Sequence, residues 1–259
     1  MSHPRRRVVA IVQARMGSTR LPGKVLADIA GQPMLVREVE RARRAATLDE
    51  LVVATTVEQA DDAVAELCLS RGYLCYRGHP TDVLDRYYRA AQEHRADVIV
   101  RLTGDCPLID PGVIDETVRA FLESEPPYDL VANRLAEGRT FPIGLDTEVC
   151  SFEALEAAWR EAADPYEREH VLPFIYERRE RFRVQLLRGG EDFGHLRWTV
   201  DAPEDLEVVR RVFEHFGGRD DFTWLDALDL FRQDPSLASL NAKVEHRGFR
   251  EAHLGPEER

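Results

Sequence analysis

Gln13-Ala14-Arg15-Met16-Gly17-Ser18-Thr19-Arg20-Leu21-Pro22-Gly23-Lys24 lies between the apolar run Val8-Val9-Ala10-Ile11-Val12 and the segment Gln32-Pro33-Met34-Leu35-Val36. The run reads as a buried first strand and the later segment as the start of a helix, so the stretch between them is a strand-to-helix loop. Gly17 and Gly23 allow backbone conformations that a side chain would block. Successive amide N–H groups in such a loop can turn inward and cradle an anion. Arg15, Arg20 and Lys24 add full positive charges around the same concavity, and the guest this suits is a polyphosphate. Two known phosphate loops are excluded. The step from Gly17 to Gly23 is too long for G-x-x-x-x-G-K-[ST] and Val25 follows the lysine, nor does the stretch fit G-x-G-x-x-G.

The elements on either side fit one architecture. Apolar runs at 51–55, 73–76 and 98–102 read as strands, and helical spacing at 35–46, 61–71, 83–94 and 111–122 places a helix between or after them. This βαβα order predicts an α/β protein, a mainly parallel sheet with helices on both faces. After Pro126-Pro127 the pattern changes. Residues 130–133, 145–152, 182–187 and 196–200 read as strands, and 155–163, 165–178, 206–216 and 223–231 as helices. The expected organisation is one nucleotide-handling domain over 1–240, with a substrate or dimerisation insertion at about 127–190 and a polar tail over 241–259.

Composition narrows the function. With 35 Lys plus Arg against 47 Asp plus Glu, the 259-residue chain carries a net charge of −12, which argues against a general nucleic-acid binder. Cys68, Cys75, Cys106 and Cys150 form no C-x-x-C pair, as expected of reduced thiols in a cytoplasmic protein. Arg5-Arg6-Arg7 ahead of the first strand mimics a signal peptide, but Gln13 and Arg15 close the apolar run too soon.

Ligands of open α/β sheets bind at the carboxyl ends of the strands. Asp105 follows the strand at 98–102, and Asp201 follows the one at 196–200. If both strands point the same way, both carboxylates face the rim that carries the glycine loop. One or two carboxylates plus phosphate oxygens are what Mg²⁺ needs. Each also has a structural alternative: Asp201 with Glu204 makes a capping box for the next helix, and Asp105 could close a turn after Gly104. Asp85, Arg86, Arg101, Thr103 and Gly104 lie near the same strand ends. Asp146 and Glu148 alternate on one strand face, and His170 lies in a helical stretch.

The loop 13–24 resembles the opening motif of the CMP-sugar synthetases, which include the acylneuraminate and 3-deoxy-manno-octulosonate cytidylyltransferases. The likeness continues through Arg77-Gly78, 82–88, 101–111, 141–149, Arg168-Glu169-His170-Val171 and 198–206, and it is nearest to the spore-coat polysaccharide SpsF-like branch. The resemblance implies a three-layer α/β/α nucleotide-diphospho-sugar transferase (GT-A-like) fold. It implies transfer of CMP from CTP to a sugar, with Mg²⁺ as cofactor and pyrophosphate released. In that reading Arg15 and Lys24 hold the triphosphate, the loop from Gln13, Ala14, Gly17 and Ser18 through Thr19 and Arg20 binds nucleotide together with Asp85, Arg86, Arg101, Thr103 and Gly104, and Asp105 and Asp201 hold the metal. Arg15, Lys24, Asp105 and Asp201 form the catalytic set. Arg139, Asp146, Glu148 and His170 meet the sugar, and a homodimer is expected. Sialic-acid enzymes usually have Lys-Asn where this chain has Lys24-Val25, and the octulosonate enzymes lack the Gly of Gly17-Ser18, so the sugar stays open. The rival readings are a GT-A glycosyltransferase, a sugar-1-phosphate nucleotidylyltransferase and a non-catalytic nucleotide-binding partner subunit.

Overall fold

The computed structural model describes residues 5–245. Seven strands form one sheet: β1 (Val8–Gln13), β2 (Glu50–Thr56), β3 (Leu74–Gly78), β4 (Val98–Thr103), β5 (Leu130–Ala132), β6 (Glu148–Ser151) and β7 (Val184–Leu186). Their order across the sheet is β7-β5-β6-β4-β1-β2-β3. Central β1 pairs in parallel with β2 and β4, and β3 extends the parallel part beyond β2. Strand β6 runs antiparallel to both β4 and β5, and β7 is parallel to β5. The stretch 127–190 therefore supplies three strands of the same sheet. Two short hairpins stand outside it, Asp28–Ile29 with Gln32–Pro33 and Arg134–Leu135 with Gly138–Arg139.

Both faces of the sheet are apolar because alternate side chains of a strand point to opposite sides. Val8, Ala10 and Val12 of β1 enter one core, and Val9 and Ile11 the other. The first core is closed by α1 (Met34–Ala42), α2 (Asp62–Arg71), α4 (Pro111–Leu122), α8 (Pro203–His215), α9 (Trp224–Gln233) and α10 (Ser236–Leu240). The second is closed by α3 (Val83–Glu93), α5 (Phe152–Glu161) and α7 (Pro173–Tyr176), with α6 (Pro165–His170) beside them. The result is the expected three-layer α/β/α sandwich with a mainly parallel sheet. No helix among the described residues is long and apolar enough to cross a membrane.

Several segments differ from the sequence reading, each for a local reason. Gln32–Pro33 pairs as a hairpin strand, and the helix starts only at Met34. It stops at Ala42, and the amides of Ala46 and Thr47 bind the Asp115 carboxylate instead. The helix expected over 165–178 breaks at Val171, whose φ is +74°, and restarts at Pro173, which has no N–H to continue the ladder. In the strand expected over 145–152, Leu145 and Thr147 are diverted onto the Asn133 side chain, and Ser151 already caps α5. Residues 196–200 are extended but lie outside the sheet, held to Ile143 and Asp105 by the amides of Trp198 (2.7 Å) and Val200 (2.8 Å). Asn241, the first residue of the expected polar tail, is buried, and residues 246–259 of that tail lie outside the described residues.

Gly144 makes the docking of 196–200 possible. Its φ is +108°, and a Cβ there would come within 2.6 Å of Thr199 N and 2.7 Å of the Trp198 carbonyl carbon. Gly144→Ala should cost about 3 kcal/mol, from left-handed strain on the order of 1–3 kcal/mol and overpacking of similar size. A urea midpoint within experimental error of wild type would show that the two segments can part freely.

Candidate active site

The loop after β1 is fixed from within. Ala14 N–H bonds Ala54 O at 3.1 Å, the N–H groups of Ser18 and Gly23 both bond Met16 O at 3.0 Å, and Leu21 N–H meets Ser18 Oγ at 3.3 Å. The Met16 N–H donates to Asp61 Oδ1 at 2.6 Å, and the other Asp61 oxygen accepts the Thr56 hydroxyl. Buried Asp61 therefore pins the loop to the end of β2. Among the described residues, no group accepts the amides of Arg15, Gly17, Thr19 or Arg20. In the expected Gly17-Ser18 cradle, then, the Gly17 N–H remains for a ligand, and the Ser18 N–H has turned into the loop.

The loop ends on Lys24, and its ammonium is the centre of the site. Lys24 Nζ donates to Asp105 Oδ2 at 3.0 Å, Asp201 Oδ1 at 2.9 Å and Val200 O at 2.7 Å. Asp105 arrives from the turn after β4. There Gly104 packs so closely that a Cβ would stand 2.7 Å from Gln13 O, and Thr103 Oγ1 donates to Asp105 Oδ1 at 2.7 Å. Glu38 of α1 steadies the same turn by accepting the Cys106 N–H at 3.2 Å. Burial, then the Asp105 charge, pushes the Glu38 carboxyl well above its ordinary value.

Asp201 is not the cap of α8. Asp205 does that work, accepting the N–H groups of Asp201 (2.9 Å) and Ala202 (3.0 Å). The Asp201 carboxylate is thereby free to face the cleft, where it also meets Arg20 at 2.9 Å and Arg197 at 2.8 Å. Arg197 bonds both oxygens of Asp205, at 2.9 and 3.1 Å, and Asn241 Nδ2 ties Arg197 O to Asp205 Oδ1, each at 2.9 Å. Burial works to raise the Asp201 carboxyl, but Lys24, Arg20 and Arg197 outweigh it and hold it at about 2. Burial likewise opposes the Lys24 charge, and Asp105 and Asp201 overcome it and raise the ammonium above its ordinary value. Two carboxylates and one carbonyl converging on a cation form a hard oxygen set, and they fit a divalent ion whose other ligands are water and phosphate.

The opposite wall is built by β4 and the reversed β6. Buried Arg101 pairs with Glu148 and reaches Gln13 Oε1 at 3.3 Å. Arg139 pairs with Asp146 at 2.5 Å. The cleft between the walls has a volume of about 360 Å³. Gln13, Ala14, Arg15, Gly17, Ser18, Thr19, Arg20, Lys24, Arg101, Thr103, Gly104, Asp105, Asp146, Glu148, His170 and Asp201 all line it. Asp85, Arg86 and Arg139 do not. Asp85 accepts the Trp159 indole N–H at 2.8 Å, and buried Arg86 donates to His79 O at 2.8 Å. The sequence reading missed Arg134, Cys106 and Thr199 in the lining, and Asp61, Arg197 and Asp205 behind it. For Asp205 a signal existed, since it stands three residues after Ala202, the N-cap residue. For Arg134, carried on a two-residue hairpin strand, there was none.

The cytidylyltransferase sequence profile matches residues 9–214. The chain is 33% identical to the spore coat polysaccharide biosynthesis protein SpsF of Bacillus subtilis, over 90% of this chain and 97% of that protein. A cytidylyltransferase structure from Leptospira borgpetersenii matches with a TM-score of 0.87 at 34% identity, covering 93% of this chain and 100% of that one. The structure of CMP:2-keto-3-deoxy-manno-octonic acid synthetase complexed with CTP matches with a TM-score of 0.62 at 22% identity, over 81% and 99% of the two chains. These matches identify the fold as that of the nucleotide-diphospho-sugar transferases.

The Asp201 environment has a consequence in acid. Its carboxyl titrates at about 2 in the fold, against an ordinary 3.8, so the unfolded chain takes up that proton first as pH falls. The stability it contributes is complete above about pH 4 and is lost as pH falls towards 2. The stability gap between wild type and Asp201→Asn, read by urea unfolding, should therefore shrink across that window. A gap of constant size would mean that the cations around Asp201 do not hold it ionised.

Proposed function

This chain belongs to the cytidylyltransferase family, and on that premise we propose that it transfers CMP from CTP to a sugar hydroxyl with release of pyrophosphate. The observation that carries the proposal is the convergence of Lys24, Asp105 and Asp201 beside loop amides that no group accepts among the described residues. That rim combines full cations, free N–H donors and a hard oxygen set, as a triphosphate with its metal requires.

In the proposed reaction the sugar oxygen forms the new bond to the α-phosphorus. The bond from that phosphorus to the β-phosphate oxygen breaks, and the hydroxyl proton leaves to water. Asp105 and Asp201 hold Mg²⁺, which when bound supplies Lewis-acid stabilisation of phosphoryl charge. The N–H groups of Arg15 and Gly17 and the side chains of Arg15 and Arg20 grip the triphosphate, and Lys24 meets the charge that grows on the departing pyrophosphate. Thr103 orients Asp105, and Arg197 with Asp205 orients Asp201. Both are positioned before substrate arrives, which removes reorganisation from the barrier.

The sugar binds at the far end of the cleft among Arg134, Asp146, Glu148 and His170, with Arg139 setting Asp146. A wall of both charge signs suits a polyhydroxylated acid or amino sugar. The likeness to SpsF makes a precursor of a cell-surface polysaccharide the product we favour, and a cytoplasmic homodimer is the expected working form. No observation favours a glycosyltransferase, which takes a ready-made nucleotide sugar.

Pyrophosphate release should be measured with each nucleoside triphosphate over a panel of sugar acids and amino sugars in the presence of Mg²⁺. CTP alone should support turnover. Turnover with UTP or dTTP and a sugar 1-phosphate, and none with CTP, would replace this reading with that of a sugar-1-phosphate nucleotidylyltransferase. Lys24→Ala should lower kcat on the order of 10²–10³-fold, the range for a lost preorganised donor, with little change in KM for CTP. A large rise in KM with kcat intact would make Lys24 a ground-state anchor.

A further inference from the structure

Of the 35 Lys and Arg side chains in this chain, only Lys24 and Lys243 are lysines. A protein that meets nearly every other need for positive charge with Arg keeps an ammonium at the centre of its site. The geometry explains the choice. An ammonium is a compact charge with three donors, whereas a guanidinium is a flat fork. Lys24 Nζ has three acceptors, Asp105 Oδ2 at 3.0 Å, Asp201 Oδ1 at 2.9 Å and Val200 O at 2.7 Å, one for each N–H. Its side chain is only 11% exposed. The ammonium thus sits where three oxygens from two separate segments converge, as a metal ion sits among its ligands.

The surrounding charges balance without any added ion. Asp105, Asp201 and Asp205 face Lys24, Arg20 and Arg197, three anions against three cations. A divalent ion arriving alone must take the oxygens that Lys24 uses, and it adds charge to ion pairs that are already matched. A triphosphate changes both terms. It brings several negative charges, and it offers Lys24 new acceptors beside the loop that Lys24 terminates.

We infer that Lys24 is a tethered counter-ion that occupies the cation position formed by Asp105, Asp201 and the Val200 carbonyl, and that it leaves this position for the triphosphate. The divalent ion and the nucleotide therefore bind as a pair, and the Val200 carbonyl is the third protein oxygen of the metal site. The inference rests on the cytidylyltransferase reading for the identity of the triphosphate.

The near absence of lysine makes the test direct. Protein labelled with ¹⁵N at the lysine Nζ carries two lysine ammonium groups, and Lys24→Met assigns them. In wild type, millimolar Mg²⁺ alone should leave the Lys24 signal where it is, and Mg²⁺ with CTP should move it. Movement with Mg²⁺ alone would overturn the exchange. So would heat stabilisation by Mg²⁺ with CTP while the Lys24 signal stays unmoved, a result that leaves the cytidylyltransferase reading standing. Failure of Mg²⁺ with CTP either to stabilise the protein or to move the signal overturns both. Mn²⁺ titration without nucleotide gives an independent measure. Lys24→Met should bind Mn²⁺ about tenfold or more tightly than wild type, because the site no longer waits on a minor state in which the ammonium is away. Equal affinity in the two proteins, or a saturable micromolar site in nucleotide-free wild type, would overturn the inference even if the variant proved hard to fold.

Discussion

A buried ammonium must find an acceptor for each of its protons or lose its charge. Lys24 meets that demand by drawing the end of the loop after β1, the turn after β4 and the segment before α8 onto one point. These pieces are far apart in the sequence, and the sheet is what makes their meeting possible. Strands β1 and β4 are neighbours and run in parallel, so the loop and the turn leave the sheet side by side. The third piece lies outside the sheet and is fastened to Asp105 and Ile143 through the amides of Val200 and Trp198. The centre of the site is therefore also a joint of the fold.

Behind that joint stands a layer of residues that never reaches the cleft. Asp61 pins the loop after β1 through Met16 N–H. Asp205 takes the helix-capping role and, with Arg197 and Asn241, fixes the backbone on which Asp201 rides. Each of these three, Asp61, Asp205 and Asn241, is buried and polar with its bonds satisfied, the condition under which a polar network stiffens a structure. The cleft residues can then change partners without loosening the backbone that carries them, because the residues behind them have bonds of their own.

The sequence disclosed what depends on short-range pattern. Alternation and helical spacing placed the central strands and most of the helices, and the glycines and cations of 13–24 marked a rim that lines the cleft. What it concealed depends on tertiary contact. Nothing local says that 196–200 stays out of the sheet, because the cause is the fit of Gly144 against Trp198 and Thr199. The capping question at Asp201 was settled by a carboxylate four residues on. Asp85 and Arg86 were expected near the same strand ends, yet their side chains serve the packing of α3 and the 79–80 turn. Arg134 came into the cleft on a hairpin too short to announce itself.

Strand β6 is the one that runs against its neighbours. Parallel strands present their carboxyl ends at the rim, so a reversed strand presents its beginning there, and Glu148 stands beside Arg101 on that account. The rim is consequently stocked from two sources that share no loop. The β1 and β4 connections build one wall of the cleft, and the chain leading into β6, with its hairpin at 134–139, builds the other. The two sources are tied at two points, the buried pair of Arg101 with Glu148 and the seat of 196–200 against Gly144. A replacement at Glu148 or Gly144 is therefore felt on both walls of the cleft, because removing one partner of a buried ion pair leaves the other charge unmet.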